Sequence, residues 1–113
     1  MEASLPPRSP ALAQARAWAD QKRWDRVLAL TPELLAQNPE LLEAHKLATR
    51  ASINCGQHRE ANKMAKTCVQ MGPNNADAHY LAAVAASNVG LLSIAHQHIK
   101  TALNLEPNWS TLH

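Results

Sequence analysis

From residue 9 to residue 107 the apolar positions keep a helical spacing and do not alternate as a strand's would. Leu12, Ala15, Trp18 and Ala19 fall on one side of a segment that runs from Ser9 and Pro10 to about Asp20, with the Ser9 hydroxyl as cap and Pro10 at the first helical position. A second segment begins near Arg23 or Trp24 and carries Val27, Leu28, Leu30, Leu34 and Leu35 as an i, i+3, i+4, i+7 stripe. Pro32 lies inside that stripe, between Thr31 and Glu33, so the segment is one kinked helix or two short ones; one kinked helix is expected. A third helix is predicted from Pro39 to about Asn54, with Asn38 as its cap and Glu40 near the positive end of its dipole. Cys55, Gly56 and Gln57 break it, Gly56 being the left-handed stop. A fourth helix follows from His58 to about Met71, ended by Gly72 and Pro73. The fifth runs from Ala76, capped by Asn75, to about Val89, and the sixth from Leu91 to about Leu105 beyond Gly90. Connections this short make consecutive helices antiparallel neighbours. Met1 to Arg8, with Pro6 and Pro7 and no apolar period, reads as a disordered leader.

The same pattern is written more than once. Pro39, Pro73 and Pro107 are 34 residues apart, as are His45, His79 and His113, and the register extends to Asn54 with Asn88, Gly56 with Gly90, and Ala61 with Ala95. A fixed period of this length marks a repeat array, in which each unit buries its apolar face on its neighbours. Ala82, Ala83, Ala86, Ala95 and Ala102 supply the small surfaces that closely approaching helices need.

Composition narrows the function. The 113 residues are 46% hydrophobic and 18% charged, with no Phe and a formal net charge of +2, so no basic field for sequence-independent nucleic-acid binding is present. Cys55 and Cys68 are too few for a disulfide framework and too far apart for a zinc or redox motif, which points to a reduced, cytoplasmic chain. No signal peptide and no run of about 18 apolar residues is found. His96 and His98 are two apart, which on a helix turns them to different sides as surface residues; His45 and His79 read as repeat positions and not as metal ligands. Cys55 stands three residues before His58 but has no oxyanion site or orienting third group, and Cys68 lies in the apolar phase of its helix as a small core residue. No phosphate-binding glycine loop, nucleophile elbow or metalloprotease motif occurs. The chain is therefore expected to be no enzyme and to need no cofactor or metal.

Taken together, Ala61, Pro73 and Gly56 in one copy, and Ala95, Ile99, Ala102, Gly90 and Pro107 in the next, resemble the tetratricopeptide repeat, a 34-residue helix-turn-helix with the loose pattern W-x2-L-G-x2-Y, A-x3-F, P. An N-terminal copy is degenerate, with Trp24 at the aromatic that opens the second helix, Val27 for the small residue and Pro39 closing it. Departures are plain: His45 and His79 occupy a large apolar position, and Ser52 and Ala86 stand where an aromatic is common.

The resemblance implies an all-α, short right-handed solenoid of helical hairpins. It would have about three units (8–41, 42–75 and 76–109) within an array over 9–106, six helices in all, and a C-terminal stub at 107–113. It also implies that the first helix of each pair lines a concave groove. The groove face would comprise Arg16 and Asp20; Glu43, Lys46, Arg50 and Asn54; and Asp77, Tyr80, Val84, Ser87 and Asn88. Lys46 and Arg50 would hold an acidic side chain or terminal carboxylate, and Asn54 and Asn88 the backbone of an extended peptide.

The expected function is a protein-interaction scaffold that grips a peptide segment or helix of a protein partner, with no nucleic acid or membrane contact. His113, in phase with His45 and His79, suggests the N-terminal part of a larger protein, the other reading being a frayed natural tail. The alternative function is self-assembly as a homodimer through uncapped C-terminal helices, where Leu92, Ile99, Leu103 and Leu105 are available. An RNA-reading repeat is disfavoured by the strict period and the near-neutral charge.

Overall fold

A computed structural model describes residues 10–107. The expected leader, the Ser9 cap and the stub beyond Pro107 lie outside the described residues. Six helices follow one another: α1 (Pro10–Asp20), α2 (Trp24–Gln37), α3 (Leu42–Asn54), α4 (His58–Met71), α5 (Ala76–Asn88) and α6 (Leu92–Leu105). No strand occurs among the described residues. Each helix packs on the next, while α1, α3 and α5 also touch in series, so the first helices of the pairs lie side by side. The result is an all-α helical-repeat solenoid measuring 51 × 27 × 24 Å.

The turn inside each pair repeats at the 34-residue period. Gly56 (φ 80°) and Gly90 (φ 86°) are left-handed, and so is Lys22 (φ 59°) at the same position of the first pair. The next residue's N–H then reaches back over the turn, from Arg23 to the Trp18 carbonyl (2.8 Å), Gln57 to Ser52 (2.8 Å) and Leu91 to Ala86 (2.9 Å). These are the six-to-one bonds of a Schellman stop. A Cβ on Gly56 or Gly90 would meet nothing within 4 Å, so backbone conformation alone calls for glycine there.

The turn between pairs also repeats, and here the expected start of α3 is wrong. Asn38 ends α2: its backbone N–H donates to the Leu34 carbonyl at 3.1 Å and its Nδ2 to the same oxygen at 2.9 Å. Gly72 and Glu106 end α4 and α6 in the same way, donating to Cys68 and Ala102. The side-chain amide of Asn38 is therefore committed to the helix behind it, Pro39 and Glu40 form a turn, and α3 begins three residues later than predicted, at Leu42. Asn75, one repeat after Leu41, does cap α5, accepting from the Ala78 N–H at 2.8 Å. His45 and His79 each pin the turn before their helix, through Nε2 to the carbonyls of Pro39 (3.0 Å) and Pro73 (2.8 Å). That bond explains why a histidine recurs at the large apolar position. α2 passes through Pro32 as one helix, with the Thr31 hydroxyl donating to the Val27 carbonyl at 3.3 Å.

Small residues carry the core. Ala11, Ala15, Val27, Leu34, Ala44, Leu47 and Ala51 join α1, α2 and α3, with Trp18 and Trp24 packed against them. Ala61 and Ala65 meet Ala82 and Ala85 between α4 and α5, and Ala83 and Ala86 meet Ala95 between α5 and α6. Side chains of this size let helix axes come within about 8–10 Å. Cys68 is wholly buried, as its phase implied, and burial pushes its thiol up from the usual range, which disfavours the thiolate.

Candidate binding site

The face shared by α1, α3 and α5 is bridged by charge. Arg16 on α1 holds Glu43 on α3 in a two-pronged pair, with Nε donating to Oε2 at 2.6 Å and Nη2 to Oε1. One repeat on, Arg50 Nη2 donates to Asp77 Oδ2 at 2.8 Å, and Lys46 Nζ lies 2.9 Å from the same oxygen. Each arginine thus reaches an acid 27 residues further along the chain. The first pair is half-exposed on both sides, whereas Lys46 and Asp77 retain only 20% and 24% of their side-chain exposure. The bond from Arg16 holds the Glu43 carboxyl below its ordinary range, outweighing partial burial, and Glu43 in turn raises Arg16.

The groove residues implied by the resemblance are therefore divided. Lys46 and Arg50 stand together, as their four-residue spacing requires, but both already share Asp77. Asn54 is exposed and turns its Nδ2 back onto the Arg50 carbonyl at 2.8 Å. Asp20 ends α1 on the surface, and Tyr80 is half-buried on α5. Val84, Ser87 and Asn88 are grouped elsewhere: with Leu92, Ala95 and Ile99 they line a hollow between α5 and α6 at the far end of the array.

Two contacts escaped the sequence reading. His98 is not a plain surface residue: it is half-buried, with Nδ1 3.0 Å from Nδ1 of His79 and ring centroids 5.2 Å apart, while His96 is exposed as expected. Arg26 lies over the Trp18 ring at 4.9 Å from its centroid. Periodicity held a clue to the first, since the helix crossing of a repeat hairpin brings His79 and His98 together 19 residues apart. Near the Cys55–His58 pair, His58 Nδ1 is buried without a hydrogen-bond partner among the described residues. No group of three metal-ligating side chains assembles among the described residues.

Known proteins of this shape are numerous. MamA from Desulfovibrio magneticus RS-1 superposes with a TM-score of 0.82 at 20% identity over 90% of this chain and 58% of its own. MamA from AMB-1 gives 0.78 at 21% identity, over 87% and 58%. YrrB, described as a TPR protein with an unusual peptide-binding site, gives 0.81 at 18% identity over 95% and 55%. The chain spans less than three fifths of the length of these three structures. No family model matches the sequence, and no curated protein does. Identities of this order speak to fold, and with the 34-residue register and the repeated turns they make this chain a helical array of the tetratricopeptide-repeat fold.

Proposed function

We propose that the chain acts by binding, as a protein-interaction scaffold whose α1–α3–α5 face holds an acidic peptide segment of a partner. The observation that carries this reading is the three-residue cluster of Lys46, Arg50 and Asp77. Two cations share one carboxylate, so the cluster keeps an excess positive charge, and Arg50 remains 43% exposed with N–H donors beyond the one given to Asp77. A partner carboxylate seated there meets a guanidinium already held in place by Asp77, which lowers the ordering cost of binding. Asn54, one turn further on, offers its amide oxygen to an extended backbone. The fold supports the same class of partner, since YrrB shares it and has a peptide-binding site. No described helix is long and apolar enough to cross a membrane.

Fluorescence anisotropy with labelled acidic peptides, each with a free or an amidated C-terminus, tests the proposal. Arg50→Ala should weaken binding about ten- to a hundredfold, the worth of one charged hydrogen bond. The melting midpoint should change little, because Asp77 keeps Lys46. Arg59→Ala, an exposed cation on α4, is the control and should bind as the parent does. Saturable binding that Arg50→Ala leaves intact, or none to any acidic peptide, rejects the reading.

A further inference from the structure

Among the described residues the first and last helices leave complementary faces exposed, and the repeat register shows what each is shaped to take. On α3, Ala44, Leu47 and Ala51 are buried in the cluster shared with α1 and α2, and Ala48 between them is buried too. One repeat on, α5 buries Ala78, Leu81, Ala82 and Ala85. The same positions of α1 are Pro10, Ala13, Gln14 and Ala17, and all four are exposed. The first helix therefore displays a narrow, small-residue face of the kind that α3 and α5 insert.

The other end presents the matching receptor. Position 24 of α2 is Trp24, packed against the cluster that joins α1 and α2 to α3; one repeat later it is His58, half-buried; two repeats later it is Leu92, 67% exposed. Leu92 borders the hollow formed with Val84, Ala95 and Ile99. The surface one repeat earlier, containing Ala61 and Ala65, is covered by Ala82 and Ala85 of α5. The ion pairs that bridge α1 to α3 and α3 to α5 also stop here, because the position of Arg16 and Arg50 is filled by the apolar Val84.

We infer that the occupant of this end face is α1 of a second copy, so that chains stack head to tail and continue the array between molecules. The Ala13–Ala17 face of one copy seats in the Leu92–Ile99 hollow of another, in the place that α5 takes against α4 within the chain. Such a joint is heterologous: each copy retains one free end of each kind, and growth is open-ended unless the rotation closes a ring. This differs from pairing of two C-terminal ends, which is symmetric and stops at two copies.

Sedimentation velocity on the full chain, from low-micromolar to millimolar concentration, should show mass rising past two copies. Ala17→Glu blocks only the α1 end and Leu92→Lys only the α6 end; both positions are exposed, and unchanged helicity and melting midpoint verify that each variant is folded. Each variant alone should remain monomeric, since it lacks one half of the joint. An equimolar mixture should form complexes of two and no larger, from the intact α6 end of Ala17→Glu and the intact α1 end of Leu92→Lys. A parent chain that stays monomeric throughout overturns the inference and leaves the hollow to other occupants, residues 108–113 of the same chain among them. Dimers of Ala17→Glu alone overturn it in favour of a symmetric C-terminal joint.

Discussion

Lys22 occupies the left-handed position that glycine fills in the other two turns, with φ at 59° against 80° and 86°. A side chain there costs about 1–2 kcal/mol, and glycine returns part of that difference through its looser unfolded chain. Lys22→Gly should therefore stabilise the array by about 0.5–1 kcal/mol. Urea denaturation checks it, and a midpoint that stays put or falls would show that the lysine stem makes contacts worth as much as the strain. The glycine stops at 56 and 90 were legible because glycine announces the conformation; Lys22 was not, because the register had to be carried into the degenerate first copy to find it. The same holds for charge. Lys46 and Arg50 were legible as neighbours on one helix face, but Asp77, which takes up both, lies a full repeat away and only the packing of α3 on α5 brings it there.

At the scale of the element, helical period and punctuation gave all six helices, and most ends fell within a residue of where they were expected. The start of α3 did not, because an asparagine before a proline caps either the helix ahead or the one behind, and nothing local decides which. The α5–α6 pair shows what else periodicity hides. His79 Nε2 is bound to the Pro73 carbonyl and must carry a proton, so in the neutral ring Nδ1 accepts from Nδ1–H of His98. The pair has room for one charge and not two, since a second would set two N–H groups face to face. Burial, and then the neighbouring His79, hold the His98 pKa below the usual histidine value. The unfolded chain accordingly binds the proton first as pH falls below about 6.5, and the contribution of this contact, full above that value, is lost as pH drops toward the folded pKa. Stability measured by urea denaturation between pH 7.5 and 5.5 should decline more steeply in the parent chain than in His98→Gln. Parallel curves would show that the imidazole contact does not link α5 to α6. The Glu43 carboxyl does not confuse that window, because its bond from Arg16 holds it below its ordinary range.

Over the whole molecule the helices touch mainly their neighbours in sequence, so stability is close to a sum of terms from units and the junctions between them. The junctions are not chemically equal. Trp24 closes the first with a large apolar ring, while the equivalent residue at the second is His58, whose Nδ1 is buried and has no partner among the described residues. A buried polar atom without a partner costs about 1–3 kcal/mol, and Leu92 shows that the third copy of this position already carries an apolar side chain. His58→Leu should thus strengthen the junction between the second and third pairs by about 1–2 kcal/mol and raise the melting midpoint by roughly 5–10 °C. In a linear array the gain should be local before it is global: amide exchange should slow most in α4 and α5 and less in α1. A higher midpoint with protection spread evenly over all six helices would mean that the array unfolds as one body and that its junctions cannot be tuned separately. An unchanged midpoint would mean that the imidazole nitrogen finds a partner in solution, and the second junction would then be limited by its alanines, which bury little area each.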